Sequence, residues 1–197
     1  MANSLPNIVP SIFIFSTIFF FFYFSTPSTA QNDTVFATTL SPENFGNRPL
    51  ILTHLHFYFH DIIDGPNQTT VRVAGANLTS KFSLPFGDVA VIDDPLTLGP
   101  DLNSKIVGRA QGIYASASKS ELSLLMVLNY VFFEGKYNGS TLSILGRNSV
   151  NSSVRELPIV GGSGVFRFAR GYALAKTYKF DTNSSDAIVE YNVYVYH

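Results

Sequence analysis

The chain has 197 residues, with 13 Lys and Arg set against 14 Asp and Glu, a formal net charge of −1 and no cysteine. Balanced charge without a basic run excludes a nucleic-acid backbone as the expected partner, and the missing cysteines exclude a disulfide-stapled scaffold. This length suits one domain standing on its apolar core.

Residues 1–30 contain no Lys, Arg, Asp or Glu, and they hold the apolar run Ile12 to Phe24 ahead of Ser28-Thr29-Ala30. The run is too short to cross a bilayer as a helix and its small-residue ending suits signal peptidase, which predicts a secretory signal peptide over 1–30 cleaved after Ala30. A signal anchor is the alternative, since no basic residue precedes the run. Six Asn-x-Ser/Thr sequons follow, at Asn32, Asn67, Asn77, Asn138, Asn151 and Asn183. Together they predict a secreted glycoprotein with no membrane contact after cleavage. Seven of the eighteen Phe lie in the export segment, so eleven Phe and nine Tyr remain to line an interior or a pocket.

Residues 31–47 are polar, contain Pro42 and Gly46, and predict a flexible arm leading into a single domain over 48–197. In Thr53 to Asp61, Leu55, Phe57 and Phe59 alternate with His54, His56, Tyr58 and His60, a strand period that puts Asp61 on the phenylalanine face. Further strands are expected in Val71 to Leu78, Asp88 to Ile92, Gly108 to Ala117, Leu122 to Phe133, Thr141 to Leu145 and Phe166 to Phe180. Leu122 to Phe133 is a nearly continuous apolar run that a buried helix would also explain, and its neighbours decide for strand. The clearest alternation is in Ala187 to Tyr196. Asn138-Gly139 marks a hairpin, because both residues accept positive φ at low cost. Seven or eight short strands without helical periodicity imply an all-β antiparallel sandwich or barrel, and closure favours the barrel because it removes sticky edges.

Candidate chemistry is sparse. His54, His56 and His60 share a strand face, but no carboxylate or cysteine joins them at ligand spacing, so no metal site is predicted. Gly161-Gly162-Ser163-Gly164 lacks a following Lys-Ser/Thr and is expected to be a tight turn or bulge. Asp93-Asp94-Pro95 is expected to be a turn whose carboxylates accept backbone hydrogen bonds. No serine sits in a nucleophile-elbow motif. Asp61, ending an aromatic strand face, is expected to have its pKa raised by desolvation, which suits a general acid. Arg155, between Val154 and Leu157, offers a permanently charged fork for a phenolate or carboxylate. A structural ion pair is the plain alternative for each.

His56-Phe57-Tyr58-Phe59-His60-Asp61, Asp93-Asp94-Pro95-Leu96-Thr97, Gly108-Arg109-Ala110-Gln111-Gly112, Tyr137-Asn138-Gly139-Ser140-Thr141-Leu142, Arg155-Glu156-Leu157-Pro158, Gly161-Gly162-Ser163-Gly164 and Phe168-Ala169-Arg170-Gly171-Tyr172-Ala173 together resemble the plant dirigent proteins, from about Thr53 to His197. The resemblance implies an eight-stranded antiparallel barrel related to allene oxide cyclase, secreted to the apoplast or cell wall and assembled as a homo-oligomer, a trimer being favoured. It also implies phenolic substrates and no cofactor. Family members steer the coupling of phenoxy radicals, such as those of coniferyl alcohol, that a separate oxidase or laccase supplies. Others close rings on quinone methides, as pterocarpan synthases do when they dehydrate an isoflavanol.

By the same resemblance Asp61 and Arg155 are the candidate catalytic pair, with Tyr114, Thr177, Phe59 and Asn148 as candidate substrate-binding residues. Lignan-forming members carry a second acid seven residues before the arginine, where Gly146-Arg147-Asn148 places an amide. That departure, with the bulky Tyr172, makes the chain more similar to the broad subfamily that includes pterocarpan synthases. Three functions remain open: stereoselective radical coupling in lignan formation, a dehydrating lyase, or a non-catalytic wall protein that binds phenolics.

Overall fold

Period-two alternation governs the described residues, 50–75 and 84–197, of the computed structural model. Nine strands form: β1 (Leu52–Asp61), β2 (Thr70–Ala74), β3 (Val89–Thr97), β4 (Ile106–Ser116), β5 (Ser123–Phe132), β6 (Thr141–Ser149), β7 (Arg155–Ser163), β8 (Arg170–Phe180) and β9 (Ala187–Tyr196). All pairings are antiparallel, in the order β1-β9-β8-β7-β6-β5-β4-β3-β2. A short ladder between β1 and β3, Tyr58 opposite Thr97 and Phe59 opposite Leu96, closes eight of the strands into a barrel. The small strand β2 pairs with the other half of β3, Thr70 opposite Ile92. One edge of β3 therefore serves β1 near its end and β2 near its start. No α-helix occurs among the described residues.

Inward positions differ along the barrel. Toward one end Phe57, Tyr130, Phe132, Leu142 and Val195 point in, and Phe166, from the short 3-10 turn Gly164–Phe166, covers them. The rings interlock: Phe57 lies 5.1 Å from Tyr130 and 5.8 Å from Tyr191, and Phe166 stacks on Tyr137 at 5.2 Å. Each such buried ring stabilises the fold by roughly 2–3 kcal/mol through area alone, with edge-on pairs adding about 1 kcal/mol. This half of the barrel is a packed core.

The predicted strands stand, with corrections, the first being that residues 166–169, expected to open the strand ending at Phe180, form a 3-10 turn and a loop, so that strand starts at Arg170. Asp93-Asp94-Pro95 is not a turn but the middle of β3, and its alternation sends Asp93 outward and Asp94 fully inward. The segment 155–163, which carries no strand signal because Pro158, Gly161 and Gly162 interrupt it, is β7. The Gly161 to Gly164 stretch gives the expected bulge and turn at the end of that strand: the register slips between Ser143 and Ile144 of β6, and Gly164 at φ 63° starts the 3-10 turn. At Asn138-Gly139 only Gly139 has positive φ (76°), while Asn138 sits at φ −53° and ψ 128°. The turn is therefore type II, closed by Ser140 N–H donating to Tyr137 C=O at 2.9 Å.

His54, His56 and His60 do not form one solvated face either. His60 is buried, with Nε2 2.7 Å from Thr97 Oγ1, whereas His56 Nε2 meets Glu190 Oε1 at 2.8 Å on the exterior. The signal peptide over 1–30, the arm over 31–47, the sequons Asn32 and Asn77 and the end of the strand expected through Leu78 lie outside the described residues.

Candidate active site

Toward the other end, the same alternation points small or polar side chains inward. Ala90, Ser116 and Ala187 leave volume where the packed end has rings, and the result is a cavity of about 970 Å³. Phe59, Leu124, Met126, Val189 and Tyr191 make its apolar wall. The loops 62–69, 117–122, 150–154 and 181–186 form its mouth. All six site residues expected from the sequence, Asp61, Arg155, Tyr114, Asn148, Thr177 and Phe59, line this one cavity.

Asp61 ends β1 opposite Ala187 of β9, so its carboxyl group projects into the cavity just above Phe59. Thr70 Oγ1 donates to Asp61 Oδ1 at 2.6 Å, and the Tyr114 hydroxyl bonds the same carboxyl. Burial pushes the Asp61 pKa up, and the nearby charge of Asp186 adds to this, while the bonds from Thr70 and Tyr114 hold it back. Tyr114 itself is pushed far above its usual range by burial and by the two carboxyl groups of Asp61 and Asp94. It therefore stays an O–H donor.

Sequence reasoning missed the group behind this one. Asp94 is 0 % exposed, accepts a hydrogen bond from Thr69 Oγ1 and lies 3.3 Å from Thr70 Oγ1. Burial, with the Asp61 charge second, raises its pKa to about 8. Its sequence neighbour Asp93 goes the other way: burial is the largest single influence and raises it, but Arg109 Nε at 2.6 Å and Gln111 Nε2 at 2.9 Å, with the Arg109 charge, together outweigh it and hold the group below the usual carboxylate range. Asp-Asp-Pro reads as a turn in isolation. The signal that finds Asp94 is its parity with Ala90, Ile92 and Leu96 once β3 is extended to Thr97.

Arg155 opens β7, three strands around the ring from Asp61. It is only 4 % exposed, yet among the described residues it makes no ion pair. Its Nε donates to Asn148 Oδ1 at 3.1 Å and its Nη1 to Thr177 Oγ1 at 2.9 Å. Burial lowers its pKa, but a guanidinium keeps its charge at any working pH. A buried cation held by neutral acceptors is incomplete until an electron-rich oxygen arrives. Neither Asp61 nor Arg155 is the structural ion pair that was the plain alternative. Tyr172, by contrast, points outward and packs its ring 5.2 Å from Tyr194, so its bulk does not shape the cavity.

The cavity thus carries a buried carboxyl group with phenol and threonine donors on one side, a permanent cation on another, and apolar rings between. Chemically, such an arrangement is suited to a flat aromatic ligand with one oxygen placed to accept a proton and another placed against a positive charge.

Comparison with known proteins agrees with this architecture. The family model for dirigent-like proteins matches residues 52–196. Dirigent protein 21 of Arabidopsis thaliana is 54% identical over 170 residues, covering 86% of this chain and 90% of its own. Pterocarpan synthase 1 of Glycyrrhiza echinata is 55% identical over 160 residues, 81% of this chain and 85% of its own. The solved structure of the pterocarpan synthase dirigent protein GePTS1 superimposes with a TM-score of 0.76 at 54% identity, covering 82% of this chain and 99% of that one. With the closed barrel, the cavity and these matches in agreement, the chain belongs to the dirigent family.

Proposed function

We propose that this dirigent-family protein is a dehydrating lyase of the pterocarpan-synthase kind, acting on a hydroxylated isoflavonoid or a close phenolic analogue. The observation that carries the reading is a buried acid cluster at Asp61 facing, across one apolar cavity, an Arg155 guanidinium that no carboxylate among the described residues neutralises. Asp61 donates its proton to the leaving benzylic hydroxyl, the carbon–oxygen bond breaks and water departs. The phenol conjugated with that carbon gives up its proton to Asp61, which leaves a neutral quinone methide. A second phenolic hydroxyl then adds across the methide: its oxygen bonds to the carbon and its proton restores the first phenol. The net change is loss of one water, with no oxidant. Arg155 and Tyr114 stabilise the phenolic oxygens as charge develops on them, and the rings around Phe59 hold the substrate in a closing pose.

The test is incubation of the purified protein with an isoflavanol in the absence of oxidant, following the dehydrated product by chiral chromatography. Turnover is expected, falling on the order of 10²-fold or more in Asp61→Asn. No rate above buffer, or a full rate in that variant, sinks the reading.

A second reading, stereoselective coupling of phenoxy radicals supplied by a laccase, keeps support from the same cavity, because such coupling needs orientation more than chemistry. Asn148 counts against it. Beside Arg155 it supplies an amide where a symmetric radical pair calls for a second carboxyl. Enantiomeric excess from coniferyl alcohol and laccase, gained only in Asn148→Asp, favours this account of the departure. Saturable binding of phenolics with neither turnover nor enantiomeric excess supports the third reading, a non-catalytic wall protein.

The protein is further proposed to be secreted to the cell wall and to work as a homo-oligomer, a trimer being favoured. Val71, Val91, Ile113, Val127 and Leu145 are direct cross-strand neighbours and form one exposed apolar stripe across the outside of β2, β3, β4, β5 and β6. A stripe of that extent supports contact with a second copy. The sequons Asn67, Asn138, Asn151 and Asn183 are exposed, which supports glycosylation. Sedimentation of the wild type against Val127→Lys tests the first point, and glycosidase treatment with peptide mass mapping tests the second.

A further inference from the structure

Thr70 has one hydroxyl proton and two carboxyl oxygens to share it, Asp61 Oδ1 at 2.6 Å and Asp94 Oδ1 at 3.3 Å. One proton makes one strong hydrogen bond, and the 2.6 Å contact to Asp61 takes it. The 3.3 Å contact becomes a full hydrogen bond as well when Asp94 carries a proton and donates it to Thr70 Oγ1. Asp94 is placed for that part. Its Oδ1 already receives the Thr69 hydroxyl, its Oδ2 is buried without a partner, and no ion pair reaches either aspartate among the described residues. Two carboxylates flanking one threonine in such a setting cannot both stay ionised.

We infer that Asp94 is a positioning residue that stores a proton for Asp61 and passes it on through the Thr70 hydroxyl. The inference rests on the reading of Asp61 as the acid. When the substrate hydroxyl docks, Thr70 gives its own proton to Asp61 Oδ1 and takes the one on Asp94 Oδ1, so one proton moves from Asp94 to Asp61 and Thr70 is unchanged. The phenolic proton that later returns to Asp61 refills Asp94 by the reverse shift. The pKa of about 8 at Asp94 agrees with a proton kept there at neutral pH.

Other groups that set this balance are few. Asp61 is faced by Thr70 of β2, Tyr114 of β4 and Asp186 of the 181–186 loop. Asp94 is faced by Thr69 and Thr70 and feels the charge of Arg109, which is engaged with Asp93 on the outer face. Tyr191 of β9, pushed up to about 12 chiefly by burial, feels both carboxyl charges and stays neutral.

The deciding experiment is a carbon-13 carboxyl NMR titration of the ligand-free full protein, wild type against Asp94→Asn. The wild-type Asp61 resonance is expected to respond in two steps, the upper one near pH 8, and Asp94→Asn to leave a single, more acidic step. Turnover of an isoflavanol against pH should follow suit. Asp94→Asn is expected to keep KM but lose kcat about tenfold per pH unit above the midpoint of Asp61 alone, while Thr70→Ser, which keeps the hydroxyl, retains the wild-type profile. An Asp94→Asn protein that melts as a folded species yet shows the wild-type titration or pH profile overturns the proposal. Should that variant fail to fold, a wild-type Asp61 resonance with one step only overturns it equally. A full rate in Asp61→Asn instead removes the acid reading, and this proposal with it, whatever the titration shows.

Discussion

The two halves of the barrel interior are built by the same strands and do opposite things. Along β1 the inward positions run Phe57, Phe59, Asp61; along β6, Leu142, Ile144, Gly146, Asn148; along β7, in reverse, Ile159, Leu157, Arg155. Each strand passes from a ring or branched chain at the closed end to a polar or small residue at the open end. The packed half supplies the free energy that lets the other half remain hollow and carry groups that destabilise the fold, namely an uncompensated guanidinium and two neighbouring carboxyls. A protein of this size has few such kilocalories to spare, so the division is physically required.

Breaking the packed half should have the largest effect. Phe57→Ala removes a ring that touches Tyr130, Phe132 and Tyr191, and is expected to cost about 3–5 kcal/mol in denaturant unfolding. Next comes the pH dependence of the hollow half. Asp94 keeps its proton to about pH 8 in the folded protein but loses it at its ordinary value of 3.8 when unfolded. Its contribution is therefore complete at acid pH and lost as pH rises from about 4 toward 8, on the order of a few kcal/mol. Asp94→Asn should flatten that slope in thermal melts recorded across the range.

Arg155→Leu separates stability from binding. Replacing a buried unpaired cation with an aliphatic chain should leave the melting temperature level or higher. Affinity for a phenolic ligand by calorimetry should fall by about 1.5–3 kcal/mol, the loss of a charge-assisted hydrogen bond. A variant that melts lower and binds as before breaks the contrast between the halves. The smallest effect belongs to the seam between β1 and β3. Burial lowers the His60 pKa from 6.5, with the Asp101 charge partly opposing, so its contribution is present above pH 6.5 and lost as pH falls below it. His60→Gln, which keeps a donor for Thr97, should remove that loss in thermal melts recorded below pH 6.5.

The strands with clean alternation, β1 and β9, are legible in the chain because one face is buried and side chains change face at every residue, whereas β5, a nearly continuous apolar run, is told from a buried helix only by its strand neighbours. The strand β7 is not legible, since Pro158 and two glycines erase the pattern that its neighbours impose by pairing. Asp61 and Arg155 stand out as charges among apolar residues, and the cavity holds both. Asp94 stays hidden because a Pro beside two aspartates signals a turn, and only pairing with β4 across the full length of β3 overrides it.

The order of residues alone determines that the chain is a β-protein, and it determines which charges lie on apolar strands, because those follow from local periodicity and composition. Closure decides the rest. Which end of the barrel is solid and which hollow, and why Asp93 is held charged outside while Asp94 is held neutral inside, depend on what eight strands bring to the same depth of a low-dielectric interior.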